Sequence, residues 1–341
     1  MIETIKAYYQ AWVSNDFESL HLVLAKDFFG VRTYQEEVLF TWEELQKTFQ
    51  THPISSFELA SYKEHNEQLI IVGTINKVKV EVKFLFQDAK IVRVYEKIQT
   101  GQRRIKCTCS YDGSFFSGFQ KQPNASSIQE TIEKTLQDVL KDDSIQIHAS
   151  GRTDKGVHAF EQVFHFDTNS KIPADKLPQI INSFLVDSIH ILSSVDVEET
   201  FHSRYDLKKK QYLYKINTSK YDVTQRNYEW TVPNLNLPLY KEALKEVIGT
   251  HDFTSFTKTS DTSNIRTIFN VEVKEEDGYI LTYIEGNGFL RYMVRNIIAA
   301  GVLISQGKLC DTMTDLLQQK DVNLLKTKAP AAGLYLNHIT Y

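Results

Sequence analysis

Two glycines bracket an arginine and an aspartate in Gly151-Arg152-Thr153-Asp154-Lys155-Gly156-Val157-His158-Ala159, and no other stretch limits the fold as sharply. Upstream, Ile145-Gln146-Ile147-His148-Ala149 alternates as a half-buried strand does, and Val163-Phe164-His165-Phe166 resumes extended structure beyond it. The segment is therefore read as a strand-to-strand loop carrying Asp154. Glycine adopts backbone angles closed to other residues and lets a ligand approach closely, while the charge of Arg152 is expected to help keep Asp154 ionised. A plain structural turn held by an Arg-Asp pair is the alternative reading.

The first hundred residues read as a separate unit. Ile5, Tyr8, Tyr9 and Trp12 recur at helical spacing, and Phe17, Leu20 and Leu24 continue an apolar face after Asn15-Asp16. Thr41 and Glu44 form a capping box ahead of Leu45 and Phe49. Strands follow: Leu69 to Val72 is a short apolar run, Val78 to Phe86 alternates, and Gln87-Asp88-Ala89-Lys90 turns the chain into Ile91 to Tyr95. Tyr8, Tyr9, Trp12, His21 and Trp42 either line a pocket or fill a core. Residues 99–104 read as a polar linker with Gly101 as hinge.

The longer remainder, 105–341, opens on a strand from Ile105 to Ser110 and reaches a helix capped by Ser127 and Glu130, with Ile128, Ile132, Leu136 and Val139 on its apolar face. Gln211 to Asn217 alternates so that Tyr212, Tyr214 and Ile216 share one face; a helix is expected from about Leu239 to Ile248 and strands near Ile268 to Val273 and Tyr279 to Glu285. Phe289 to about Ile304 reads as a mostly apolar helix in which Arg295 needs an anion. Repeated strand-helix-strand units predict an α+β architecture, two halves packed about one antiparallel sheet, with an approximate boundary near 200–210.

Charge and cysteine usage narrow the function classes. The formal charge is −4, with 11 Lys and Arg against 14 Asp and Glu in the first hundred residues and 28 against 29 in the rest. That balance is unusual for a nucleic-acid enzyme, yet positive charge is clustered at Arg103-Arg104-Lys106, Lys208-Lys209-Lys210 and Lys326-Lys328, and a local field attracts RNA whatever the total; an ordinary solvated face is the other reading. Cys107, Cys109 and Cys310 cannot all pair, and the Cys-x-Cys spacing puts the first two on one strand face as small core residues, not as metal ligands. No apolar run is long enough to span a bilayer and the start lacks a signal pattern, so a soluble cytoplasmic protein is expected.

From Arg104 onward the chain resembles the TruA-type tRNA pseudouridine synthases. The resemblance is carried by ordered blocks: Tyr111-Asp112-Gly113, Gly118-Phe119-Gln120, Gly151-Arg152-Thr153-Asp154, Phe201-His202-Ser203-Arg204, Tyr212-Leu213-Tyr214, His251 to Phe256, Arg266-Thr267-Ile268, Met293-Val294-Arg295-Asn296 and Gly333-Leu334-Tyr335-Leu336. Residues 1–98, with helices ahead of a curved antiparallel sheet and an opening Tyr-Tyr-x-x-Trp, resemble the NTF2-like or SnoaL-like fold, a small α+β cone read as an accessory domain. The first resemblance implies two similar halves with a cleft between them, a homodimer, tRNA as partner, no cofactor and no metal. It implies isomerisation of uridine to pseudouridine in the anticodon stem-loop, at roughly positions 38 to 40, with the base extruded towards the enzyme.

Carried over by motif, Asp154 is the catalytic carboxylate, acting as nucleophile, as base or as electrostatic partner. Arg152 fills the space of the displaced base or holds the backbone, Arg295 pairs with Asp154 through its planar fork, and Tyr212 stacks on the target base. His158, His202, Arg204, His251 and Asp252 read as scaffold or RNA contacts. Phe119 stands where the family usually shows Trp, and Lys155 replaces the small residue common in bacterial members. Three alternatives remain at this point: a catalytically idle tRNA-binding or RNA-folding protein on the same fold, a synthase for another RNA, and an activity of the N-terminal unit on a small hydrophobic substrate.

Overall fold

The computed structural model describes residues 1–32, 38–41, 44–45, 54–98, 102–258, 263–325 and 327–341. Its contacts divide the chain into two units, Met1–Gln102 and Arg103–Tyr341, each with its own hydrophobic cluster.

In the first unit, helices α1 (Ile2–Val13) and α2 (Phe17–Val23) precede a six-stranded sheet made of β1 (Leu24–Arg32), β2 (Val38–Thr41), β3 (Phe57–His65), β4 (Gln68–Ile75), β5 (Val78–Gln87) and β6 (Lys90–Ile98). The helical spacing of Ile5, Tyr8, Tyr9 and Trp12 puts all four on the buried face of α1. Helix α2 starts where the Asp16 carboxylate accepts the Ser19 N–H at 3.2 Å. Alternation in β5 sends Val80, Val82, Phe84 and Phe86 inward, and a turn with positive φ at Asp88 and Ala89 returns the chain into β6. The strand order is β2-β1-β6-β5-β4-β3. The β1 to β6 pairing is parallel, with Leu24 opposite Ile91 and Gly30 opposite Val94, whereas the alternation alone predicts an antiparallel sheet throughout. A strand entering directly from α2 is placed beside the last strand of the unit, a choice that local patterning does not encode.

The aromatic candidates for a pocket are core instead: Tyr8, Tyr9 and Trp12 are buried, Tyr9 stacks on Phe57 at 3.8 Å, and Tyr8 meets Phe84 edge-on at 5.7 Å. His21 is exposed. Trp42, Phe49, Gly101, Lys326 and the Thr41 side chain lie outside the described residues.

The second unit holds β7 (Arg103–Tyr111), α3 (Ile128–Leu140), β8 (His148–Ala149), β9 (His158–Thr168), α4 (Leu177–Asn182), β10 (Ile189–Val197), β11 (Lys209–Asn217), β12 (Trp230–Thr231), α5 (Leu237–Lys245), β13 (Gly249–Asp252), β14 (Ile265–Glu276), β15 (Tyr279–Gly286), α6 (Met293–Ser305), α7 (Met313–Gln319) and β16 (Leu334–Thr340). The sheet runs β10-β7-β9-β16-β11-β15-β14-β13, with β8 on β9 and β12 on β11. The last strand of the chain therefore lies in the middle: β16 pairs in parallel with β9, Tyr335 opposite His158 and Leu336 opposite Ala159, and antiparallel with β11. Strands from before residue 200 stand on one side of that seam and strands from after it on the other.

Local chemistry sets the elements around the site. Ser127 caps α3 by accepting the Glu130 N–H at 3.2 Å, and Ile128, Ile132 and Leu136 are buried beneath it. Cys107 and Cys109 are buried on one face of β7, and Cys310 is exposed. Helix α6 begins at Met293, later than the apolar run from Phe289 predicts. Tyr292 holds φ at +65°, left-handed backbone through which a right-handed helix does not propagate.

Candidate active site

The loop between β8 and β9 is held at several points. Phe119 N–H donates to the Thr153 carbonyl at 3.1 Å, and Tyr111 and Thr153 share a hydroxyl–hydroxyl hydrogen bond at 2.8 Å. A turn closes from Val157 N–H to the Asp154 carbonyl at 3.1 Å, with Gly156 in its third place at φ +77°. Gly113 is needed for close approach: a Cβ there would sit 2.0 Å from the Val157 carbonyl oxygen.

Asp154 faces Arg295 of α6, whose Nη1 donates to Asp154 Oδ2 at 3.5 Å while Nε donates to the Ala329 carbonyl at 2.7 Å. Ala329 N–H returns to the Arg295 carbonyl at 3.1 Å, so the strap before β16 holds Arg295, a buried residue, at both backbone and side chain. The planar fork predicts a bidentate pair with the carboxylate; the structure has a single contact, because the other edge is engaged by Ala329. Burial raises the Asp154 pKa above the usual carboxylate range, and Arg295, Arg291 and Lys328 only partly counter it.

Tyr212 of β11 is buried, edge-on to Phe289 at 5.2 Å. Burial first, and then the charge of Asp154, push its phenol well above the ordinary range, which brings Tyr212 into the field of the carboxylate. Tyr214 donates to the Pro330 carbonyl at 2.8 Å from within the core. The structure thus assembles Asp154, Arg295 and Tyr212.

Arg152 differs from expectation. The charges that lower the Asp154 pKa are Arg295, Arg291 and Lys328, whereas exposed Arg152 shares its field with Arg204. The turn starting at Asp154 brings its carboxylate to Arg295 of α6 and leaves Arg152 on the flank it shares with Arg204. Lys210 supports that flank: it is buried, donates to the Ser150 carbonyl at 2.7 Å, and its Nζ occupies the space that a Gly151 side chain would need. Burial, with a smaller contribution from Arg204, pushes its ammonium down to about 7.

Residues that motif reasoning did not single out also converge here. They are Tyr111, Lys210, Arg291, Tyr292 and Lys328; Tyr111 figured only within the Tyr111-Asp112-Gly113 block, and Lys210 and Lys328 only as members of basic clusters. Phe119 is buried 6.1 Å from Tyr111, filling the aromatic position, and Lys155 is exposed. His158 lies 3.2 Å from Asp112 and 2.8 Å from the Asn227 carbonyl. His158 and Asp112 border a cavity of about 300 Å³ shared with Tyr111, Phe160, Tyr228 and Tyr335, of which Asp154 is not a wall. His202 is buried, its ring accepting the Arg204 N–H at 3.1 Å; the Asp252 carboxylate caps Thr254; and the half-buried His251 ring is 3.0 Å from the Ile248 carbonyl. Among the described residues no three His, Cys, Asp or Glu side chains group to hold a metal ion, and no helix is long and apolar enough to cross a membrane.

A family model described as tRNA pseudouridine synthase matches residues 108–206 and 243–341. The protein named tRNA pseudouridine synthase A from Anoxybacillus flavithermus is 39% identical over 243 residues, covering 70% of this chain and 99% of its own length. Its namesake from Bacillus subtilis is 41% identical over 246 residues, covering 70% and 99%. Among solved structures, an NTF-2-like protein of unknown function from Burkholderia xenovorans covers 28% of this chain and 80% of its own at 19% identity, with a TM-score of 0.24.

Proposed function

The chain belongs to the tRNA pseudouridine synthase family, and on that premise we propose that Asp154 is the carboxylate with which it isomerises uridine in tRNA. The reaction breaks the N1 to C1′ bond, turns the uracil and joins C5 to C1′; C5 loses a proton and N1 ends protonated. No electrons are exchanged with a partner and no group is imported, so the chain's own side chains supply the chemistry.

Three features support the assignment. Asp154 pairs with Arg295 at 3.5 Å, so an ionised oxygen is available to act at C1′ as nucleophile, at C2′ as base, or as the electrostatic partner of a positively charged sugar. Tyr212 keeps its proton at neutral pH; it donates a hydrogen bond and presents a ring to the uracil, and does not serve as base. Keeping a carboxylate half-buried against the cost of desolvation is characteristic of chemistry more than of binding, which favours this reading over an idle RNA-binding protein.

The same reading takes the uridines at roughly positions 38 to 40 of the anticodon stem-loop, extruded from the stack, as the target. It places Arg152 on the RNA backbone or in the space of the displaced base. It takes the working form to be a cytoplasmic homodimer built of an accessory unit at 1–98, a linker at 99–104 and an isomerase unit at 105–341. The single observation that carries it is the pairing of Asp154 with Arg295 at 3.5 Å across 141 residues of sequence, with Tyr212 within reach of the carboxylate's charge. The test is incubation of the protein and its Asp154→Ala variant with unmodified tRNA, followed by chemical mapping of pseudouridine. Product from the first alone is expected; product from both, or from neither across all tRNAs, rejects the assignment.

A further inference from the structure

Three cations surround one aromatic ring beside Asp154. Lys328 Nζ lies 3.9 Å from the centroid of Tyr292, the Arg291 guanidinium carbon 4.8 Å and that of Arg295 5.6 Å. Arg295 is committed to Asp154 and Ala329. Arg291 and Lys328 are not: both are exposed, Arg291 donates to Tyr292 Oη at 3.0 Å, and among the described residues neither side chain has a carboxylate partner. Both lie close enough to Asp154 for their charge to oppose the rise in its pKa.

The backbone adds to this field. Tyr292 precedes α6 in left-handed conformation at φ +65° and gives the helix no side-chain cap. Met293 N–H is taken by the Leu290 carbonyl at 3.1 Å, and the positive end of the helix dipole begins at the residue between the two cations. A tyrosine holds such a φ only where its surroundings over-determine it, and here the ring spaces Arg291 from Lys328. Three positive side chains and a helix N-terminus against one carboxylate leave an excess that repels itself until an anion arrives.

We propose that Arg291 and Lys328, spaced by Tyr292, form the seat for a single phosphodiester: the one attached to the ribose that Asp154 addresses. This rests on the reading of Asp154 as the carboxylate acting on an RNA uridine. Phosphodiesters are the charged groups nearest a ribose, and an arginine fork with a lysine point charge is a common way to hold one phosphate. The seat fixes the sugar while the base, detached during the reaction, turns.

The experiment uses the full chain as wild type, Arg291→Gln, Lys328→Gln and the double variant. Each is titrated with unmodified tRNA over a series of KCl concentrations, and pseudouridine formation is followed on the same tRNA. One phosphate shared by two cations predicts that the slope of log affinity against log salt becomes shallower by about 0.7–0.9 in the double variant, most of that loss being present already in either single variant. Two surface cations serving unrelated phosphates give additive losses of about twice that size; that result, or an unchanged slope, overturns the seat. Melting temperatures within the spread of wild type are expected for these exposed positions; a lowered melting temperature with an unchanged slope also counts against it. A wild-type protein that neither binds tRNA nor forms pseudouridine sinks the functional reading itself, whereas activity with unaltered salt slopes in the variants sinks the seat alone.

Discussion

Replacing Arg295 with Gln removes the charge nearest Asp154 and leaves a side chain of comparable reach. At 3.5 Å and an effective dielectric of about 20, two unit charges interact by about 5 kcal/mol, or roughly three pK units. Asp154 keeps a quarter of its side chain in solvent and retains the charges of Arg291 and Lys328, so the expected shift is smaller, about 1–2 units upward. On the proposed reading Asp154 works ionised, and burial already raises its pKa. Single-turnover pseudouridine formation therefore rises with pH through a limb above the ordinary carboxylate range in wild type, and that limb moves up by about 1–2 pH units in Arg295→Gln. Arg295→Lys keeps the charge, loses the geometry of the Nε to Ala329 bond, and is expected to hold the limb near wild type at a lower plateau rate. A stability measurement checks the sign independently. A carboxyl whose folded pKa exceeds its unfolded one binds more protons when folded, so stability falls as pH rises between the two values. The deficit of Arg295→Gln is thus larger at pH 7 than at pH 5. An acid limb unmoved in Arg295→Gln refutes the reasoning.

Two further outcomes follow from the same structure. Lys210, held near 7 by burial, is the inverse case: between about 7 and the ordinary lysine value the unfolded chain carries a proton that the folded one lacks, so wild-type stability gains with pH across that window. Denaturant unfolding of Lys210→Met and wild type at pH 6 and pH 9 should show the difference moving in favour of wild type at the higher pH, and a pH-independent difference counts against a buried, depressed ammonium. Residues 103–341 expressed alone should unfold cooperatively and form pseudouridine, because among the described residues this unit builds a hydrophobic cluster of its own; an insoluble product would mean one integrated core.

Much of the fold was legible where one period dominates. The four apolar positions of α1, the alternation of β5 and the Ser127 cap each state their structure locally, and each element lies where its pattern puts it. The position of β16 was not legible, since Leu334 to Thr340 reads as a strand without naming its neighbours, and parallel pairing with β9 spans more than 170 residues. For the candidate site, motif position indicated Asp154, Arg295 and Tyr212. Missing were facts that depend on three-dimensional neighbours: Lys210 belongs to a basic run yet is buried, because Gly151 has no side chain to exclude it. Arg291 and Lys328 are distant in sequence and meet only through the unusual backbone of Tyr292.

The central place of β16 bears on how the chain is made. Until β16 is made, β9 and β11 each lack one long neighbouring strand, and the Ala329 strap that holds Arg295 has no anchored strand to lead into. The pairing that anchors the Arg295 contact therefore waits on β16 and forms slowly, since it joins segments of high sequence separation. The N-terminal unit, complete by residue 102, can fold while the ribosome is still supplying the rest.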